Sequence, residues 1–213
     1  MSDARILAFD TSAAHCAAAL IQGGRLLAQA REEMARGQAE RLMPMLEEVS
    51  GGWRVDALAV CTGPGNFTGI RIAVAAARGL ALAKGIPAVG VSVLESLAPV
   101  EGAALVTADA RQGRFYAQMF RDGAAQAEIR LVTLDEIAQA APQDWQVIGH
   151  RAEEVADRLA APCWREAEVA DLAAVARIGA ERIAAGEVTR PAPLYVRPAD
   201  AALPSEPPPV ILP

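Results

Sequence analysis

Histidine is nearly absent. Among 213 residues there are two, His15 and His150. A zinc centre built mainly of histidine is thereby excluded, and a two-histidine site requires these two to meet in space. Each reads as a turn or surface residue. Cysteine is scarce too: Cys16, Cys61 and Cys163 are scattered and contain no C-x-x-C, which fits reduced thiols better than a disulfide framework. There is no Walker Gly-Lys-Ser/Thr and no G-x-S-x-G elbow, so neither a P-loop nor a hydrolase nucleophile is recognisable. No apolar run approaches the roughly 20 residues of a bilayer span. The first residues, Met-Ser-Asp-Ala-Arg, lack an apolar signal region. A cytoplasmic protein is expected. Basic residues are the minority charge, 20 against 26 acidic, for a net −6. That argues against this chain gripping a phosphate backbone by itself, because such binding rests on Lys and Arg neutralising phosphates.

What is present is apolar. Hydrophobic residues make up 53% and charged residues 22%, the balance of a globular chain long enough for one domain or two small lobes. The chain is organised around residues 57–84. Residues 57–61, ALAVC, read as a buried strand. Gly63-Pro64-Gly65 breaks it, and Thr68 is expected to cap a helix starting near Gly69 and running to Lys84. That helix is apolar or small almost all round, interrupted by Arg71, Arg78 and Lys84. A helix without a broad polar face is buried on more than one side. A sheet can cover one side; this chain or another must cover the rest. For the loop itself two readings stay open, a phosphate cradle at a helix N-terminus and a tight strand-to-helix turn.

Elsewhere the pattern repeats. Residues 6–10, 16–21 and 26–30 read as three strands, with Asp10-Thr11-Ser12 at the first turn and Gly23-Gly24 at a hairpin. Residues 103–108, 114–120 and 128–132 read as a second trio, with Asp109 after its first strand. The two trios suggest a degenerate duplication. Between them lie a helix over 38–49, the strand–helix unit above, a strand at 88–91 and a capping box, Ser92-Val93-Leu94-Glu95. Within 38–49, Leu42, Met45, Leu46 and Val49 share one face, while Pro44 predicts a kink or a late start. A second box, Thr133–Glu136, a strand at 145–149 and helices at 152–159 and 171–185 follow. Asp109, Arg111 and Arg114 cluster at one turn and are expected either to line a cleft between lobes or to form a solvated hairpin.

The run Gly-Pro-Gly-Asn-Phe-Thr-Gly-Ile-Arg (63–71), with Ile6–Ser12 and the Pro193-Leu194-Tyr195 segment, resembles the TsaB (YeaZ) family. The resemblance implies an α/β fold of the actin-like, sugar-kinase and Hsp70 (ASKHA) architecture, with two lobes of mixed sheets flanked by helices. The expected division is 1–100 and 101–197, with the boundary near 98–104 and an extended or mobile proline-rich tail at 198–213. The family is described as the non-catalytic relative of TsaD in forming threonylcarbamoyladenosine at the adenosine beside the tRNA anticodon. The resemblance therefore implies no catalytic residue and no metal or cofactor on this chain, with metal and ATP on partner subunits. In TsaD paired histidines on the first helix bind metal; Gln38, Ala39, Glu40 and Arg41 supply none. Expected partners are a TsaD-like protein and, in a larger complex, a TsaE-like ATPase, with tRNA met only through the complex. A homodimer through the same face is compatible with the reading in isolation. The expected partner face takes in Gln38, Arg41, Met45, Arg71, Ala75, Arg78 and Leu82. Asp10, Thr11, Ser12, Gly63 and Gly65 would be vestigial phosphate turns. The alternative function is a small ATP-dependent kinase with Asp10 as its metal-associated acid.

Overall fold

The computed structural model describes residues 3–142 and 144–196. The expected tail, 198–213, lies outside them. The first half contains β1 (Arg5–Asp10), β2 (His15–Gln22), β3 (Arg25–Glu33), α1 (Gln38–Ser50), β4 (Ala57–Cys61), α2 (Phe67–Lys84), β5 (Ala88–Val91) and α3 (Val93–Leu97). The second contains β6 (Ala103–Asp109), β7 (Phe115–Arg121), β8 (Ala124–Ala125), β9 (Arg130–Val132), α4 (Leu134–Ala140), β10 (Gln146–Gly149), α5 (Ala152–Leu159), β11 (Trp164–Glu166) and α6 (Leu172–Ala184).

The first sheet has the order β3-β2-β1-β4-β5 and the second β8-β7-β6-β10-β11, with β9 also on β7. In each, the first strand pairs antiparallel with the second and parallel with the strand that follows the next helix, β4 after α1 and β10 after α4. The duplication expected from the two strand trios is thus visible as one topology used twice. Two details differ from expectation. The strand expected at 128–132 is shortened to β9, with the two-residue β8 ahead of it, and β11 carried no sequence signal, all three of its residues being exposed.

Alternation along β1 builds two cores at once. Leu7 and Phe9 face α1 and α2, packing with Leu42, Met45, Leu46, Ala73 and Ala77. Ile6 and Ala8 face the opposite way, into a core shared with Val106, Phe120 and Ile148 of the second sheet and Val175 and Ala176 of α6. A third core joins Leu105, Phe115 and Val147 to Val155 and Leu159 of α5. Small residues let α6 approach closely: a Cβ on Gly179 would fall 2.8 Å from the Ala59 Cβ. Arg182 of α6 donates to the Gly90 carbonyl and to Glu95. Residues 98–102 join α3 to β6 of the second sheet, while α6 crosses back to pack on β1, β4 and β5 of the first.

Local signals act where expected. Ser92 with Glu95 and Thr133 with Glu136 form reciprocal capping boxes, and Asp171 caps α6. One cap differs: α2 begins at Phe67, and Asn66, not Thr68, accepts the Gly69 amide at 3.0 Å. The earlier start follows because Asn66 is extended and its carbonyl already receives the Ile70 amide. Helix α1 starts at Gln38 and runs through Pro44 without the late start.

Candidate functional site

The turn after β1 is closed on itself. Asp10 is 1% exposed, and its Oδ1 accepts from the Ser12 amide at 2.8 Å. Its Oδ2 lies 3.0 Å from Nε2 of His15, itself buried in β2. His15 is therefore not the surface residue expected, because β2 turns it beneath the first turn. Thr11 Oγ1 donates to the Gly69 carbonyl at 2.6 Å, and the Asn66 amide donates to the Ser12 carbonyl. The loop glycines make this approach feasible. A Cβ on Gly65 would meet the Ser12 carbonyl oxygen at 2.3 Å, and one on Gly69 the Thr11 carbonyl oxygen at 1.8 Å. Gly63 holds φ +97, a left-handed conformation that favours glycine. Of the two readings of this loop, the geometry favours the tight turn, since the space beside the glycines is taken by the 11–12 backbone.

The second lobe repeats the turn with a different outcome. Asp109 Oδ1 accepts from the Arg111 amide at 2.7 Å, as Asp10 does from Ser12. Here the carboxylate is about half exposed, and His150 Nε2 stands 3.9 Å away. His150 Nδ1 sits 2.9 Å from Glu168. Between the lobes opens a cleft of about 730 Å³, bordered by Ser12, Phe67, Asp109, Arg111, Tyr116 and Tyr195, among others. Asp109 and Arg111 border it, and Arg114 does not. Its guanidinium turns toward β9 and donates to the Leu131 carbonyl, because residue 114 lies at the entrance of β7, which pairs with β9 from Phe115.

The face expected on α1 and α2 divides in the same way. Met45 is fully buried under α1, in the core with Phe9, and Gln38 is buried with its amide on the Met34 carbonyl. Neither presents its side chain outward, since the α1 stripe that reads as adaptable is the stripe that meets the sheet. Arg41 is half-buried and bridges Glu32 of β3 and Glu48. This pairing holds both carboxyls below their ordinary range. On α2, by contrast, Arg71, Ala75 and Gly79 are exposed, and Leu82 is 87% exposed.

No local pattern signals what lies along that stripe. Residues 190–196 leave α6 and run back over α2. The Leu194 amide donates to the Thr62 carbonyl at 2.9 Å. Arg78 Nε donates to the Pro191 carbonyl at 2.6 Å, and Arg71 Nε to the Tyr195 hydroxyl at 2.8 Å. Among the described residues no helix is long and apolar enough to cross a membrane, and no group of three or more His, Cys, Asp or Glu is arranged to hold a metal ion.

Two mixed sheets of one repeated topology, with crossing helices and a cleft between them, define an actin-like two-lobed α/β protein. The Thermus thermophilus ROK hexokinase shares this fold at a TM-score of 0.53 and 14% identity, over 84% of this chain and 99% of that one. The match to the family model for TsaD, tRNA N6-adenosine threonylcarbamoyltransferase, runs over residues 30–163, more than half of the chain, which therefore belongs to that family. Within it the chain is similar to the Escherichia coli tRNA threonylcarbamoyladenosine biosynthesis protein TsaB, 41% identical over 123 residues that are 53% of each protein. The chain thus spans about half the length of the curated relatives it matches. YeaZ from Pseudomonas aeruginosa superposes at a TM-score of 0.73 with 26% identity, over 90% of this chain and 99% of that one.

Proposed function

We propose that this chain is a non-catalytic subunit that binds a TsaD-like protein and supports formation of threonylcarbamoyladenosine on tRNA. In this reading the TsaD-like partner carries the metal and the active site, a TsaE-like ATPase joins the assembly, and tRNA is met through the complex. No cofactor is assigned to this chain. The observation that carries the proposal is the exposed α2 stripe of Arg71, Ala75, Gly79 and Leu82, small at its centre and apolar at one end. Small residues at the centre allow a partner helix to come close. The kinase reading is weaker. The acid it requires, Asp10, is enclosed, with both oxygens engaged by Ser12 and His15.

Ala75→Glu tests the reading. Ala75 is exposed, so the variant should fold with stability within about 0.5 kcal/mol of wild type. Titration against the TsaD-like subunit should then show association weakened by about 3 kcal/mol or more, the scale of a charge buried without a partner. A folded variant that binds at wild-type affinity would place the contact on another face. The same face would pair two copies of the chain in isolation, which the sedimentation behaviour of the variant would reveal.

A further inference from the structure

We infer that Phe67, Arg71 and Tyr195 form one pre-assembled contact that captures a carboxylate of the partner, so that the 190–196 segment belongs to the docking face. The inference rests on the proposed function and adds to it a specificity-determining site that extends the α2 stripe from Arg71 to Phe67 and Tyr195.

The guanidinium of Arg71 lies 3.6 Å from the Phe67 ring centroid and 5.6 Å from that of Tyr195. The two rings stand 5.0 Å apart, tilted by 34°. Arg71 Nε donates to the Tyr195 hydroxyl. Both terminal nitrogens, with their four N–H donors, have no hydrogen-bond partner among the described residues, and no carboxylate there pairs with Arg71. Six other arginines, Arg31, Arg41, Arg151, Arg158, Arg177 and Arg182, each hold a carboxylate of this chain.

Three further features point to a ligand for that cation. Phe67 and Tyr195 are 41% and 48% exposed, a large aromatic area to leave in water. Phe, Tyr and Arg together are the residue types enriched at the energetic centres of protein interfaces. The arginine is also held in place on one face by a ring and on one edge by a hydroxyl. Its side-chain freedom is therefore already restricted before any partner arrives, which lowers the entropic cost of association. The free edge of a guanidinium matches a carboxylate in two parallel hydrogen bonds. A single cation on a chain of net charge −6 suits one carboxylate better than a nucleic-acid backbone, which needs several.

The segment that supplies Tyr195 is anchored independently. Pro191 is buried and bonded to Arg78, and Leu194 is bonded to Thr62. Residues 124 positions apart in sequence are thereby placed in one contact.

The test is affinity for the TsaD-like subunit, measured for full-length wild type, Arg71→Lys, Tyr195→Phe and Phe67→Leu. Arg177→Lys on α6 serves as control, and thermal melts establish that each variant is folded. Arg71→Lys keeps the charge but loses the planar fork, and should weaken binding about tenfold or more. Tyr195→Phe keeps the ring and frees the guanidinium, and should cost about threefold or more. Phe67→Leu should fall between them, and Arg177→Lys should match wild type. If the first three bind like wild type while Ala75→Glu is impaired, the α2 face is correct and the aromatic contact is wrong. If wild type itself does not bind, the proposed function fails and this contact with it. If the three bind the TsaD-like subunit normally but the assembled complex loses tRNA affinity, the ligand is a phosphate and the carboxylate assignment is overturned.

Discussion

Nε2 of His15 lies 3.0 Å from Oδ2 of Asp10, and both side chains are closed to solvent. In the second lobe the equivalent acid, Asp109, keeps 3.9 Å from His150 and about half of its surface in water. One topology used twice has given one internal polar pair and one cleft residue.

The enclosed pair makes Asp10 a structural residue. Asp10→Ala leaves His15 and the Ser12 amide buried without their acceptor, and should destabilise the fold by about 3 kcal/mol or more. Urea denaturation checks this. Steady-state ATP hydrolysis by the purified chain should stand at background before and after the change. A stable variant that abolishes a real ATPase rate would favour the kinase reading.

Two glycines of α2 should respond in opposite directions. At Gly69 a methyl group collides with the Thr11 carbonyl, a main-chain atom that cannot step aside. Gly69→Ala should cost about 2 kcal/mol or more, as overpacking against fixed atoms does. At Gly79 nothing lies within 4 Å of an added Cβ. Gly79→Ala should stabilise by about 0.5–1 kcal/mol through helix propensity and a less flexible unfolded chain. Paired thermal melts decide both.

The thiols separate cleanly. Burial pushes Cys16 up to about 11 and raises Cys61 well above the ordinary thiol value, so both are held protonated. Cys163 is exposed. Since the thiolate is the reactive form, a disulfide-exchange reagent should titrate one thiol per native chain and three in denaturant. Rapid reaction of a second thiol in native buffer would show that the β1–β2 region opens readily.

The Glu32–Arg41–Glu48 network sets an acid dependence. Both carboxyls lie below their ordinary range because Arg41 donates to them. A depressed carboxyl stabilises the fold above its unfolded pKa, about 4.3 for Glu, and loses that stabilisation as pH falls through its lower folded value. The gap in melting temperature between wild type and Arg41→Met should therefore be largest near neutral pH and close progressively below about pH 4. A gap independent of pH would assign the effect of Arg41 to the packing of its alkyl stem.

Short-range chemistry was legible in the amino-acid order. The capping boxes at Ser92 and Thr133 and the Asp171 cap depend on partners two or three residues away. The strand trios show themselves by alternation, and the Gly63–Arg71 run carried the family. Asn66 and Thr68 are both good caps by residue type, and only the extended backbone at residue 66 selects between them. The sequence by itself thus determined most of the elements, the repeated strand trios and the small-residue stripe on α2, but not β8 or β11. Tertiary structure decided which face each stripe uses: Met45 and Gln38 point inward because α1 lies on the sheet, and His15 is buried because β2 passes beneath the first turn. It alone brought α6 back to the first sheet and set Tyr195 against Arg71. Those choices depend on pairings between residues far apart in the chain, whose energies come from packing and burial that no local pattern encodes.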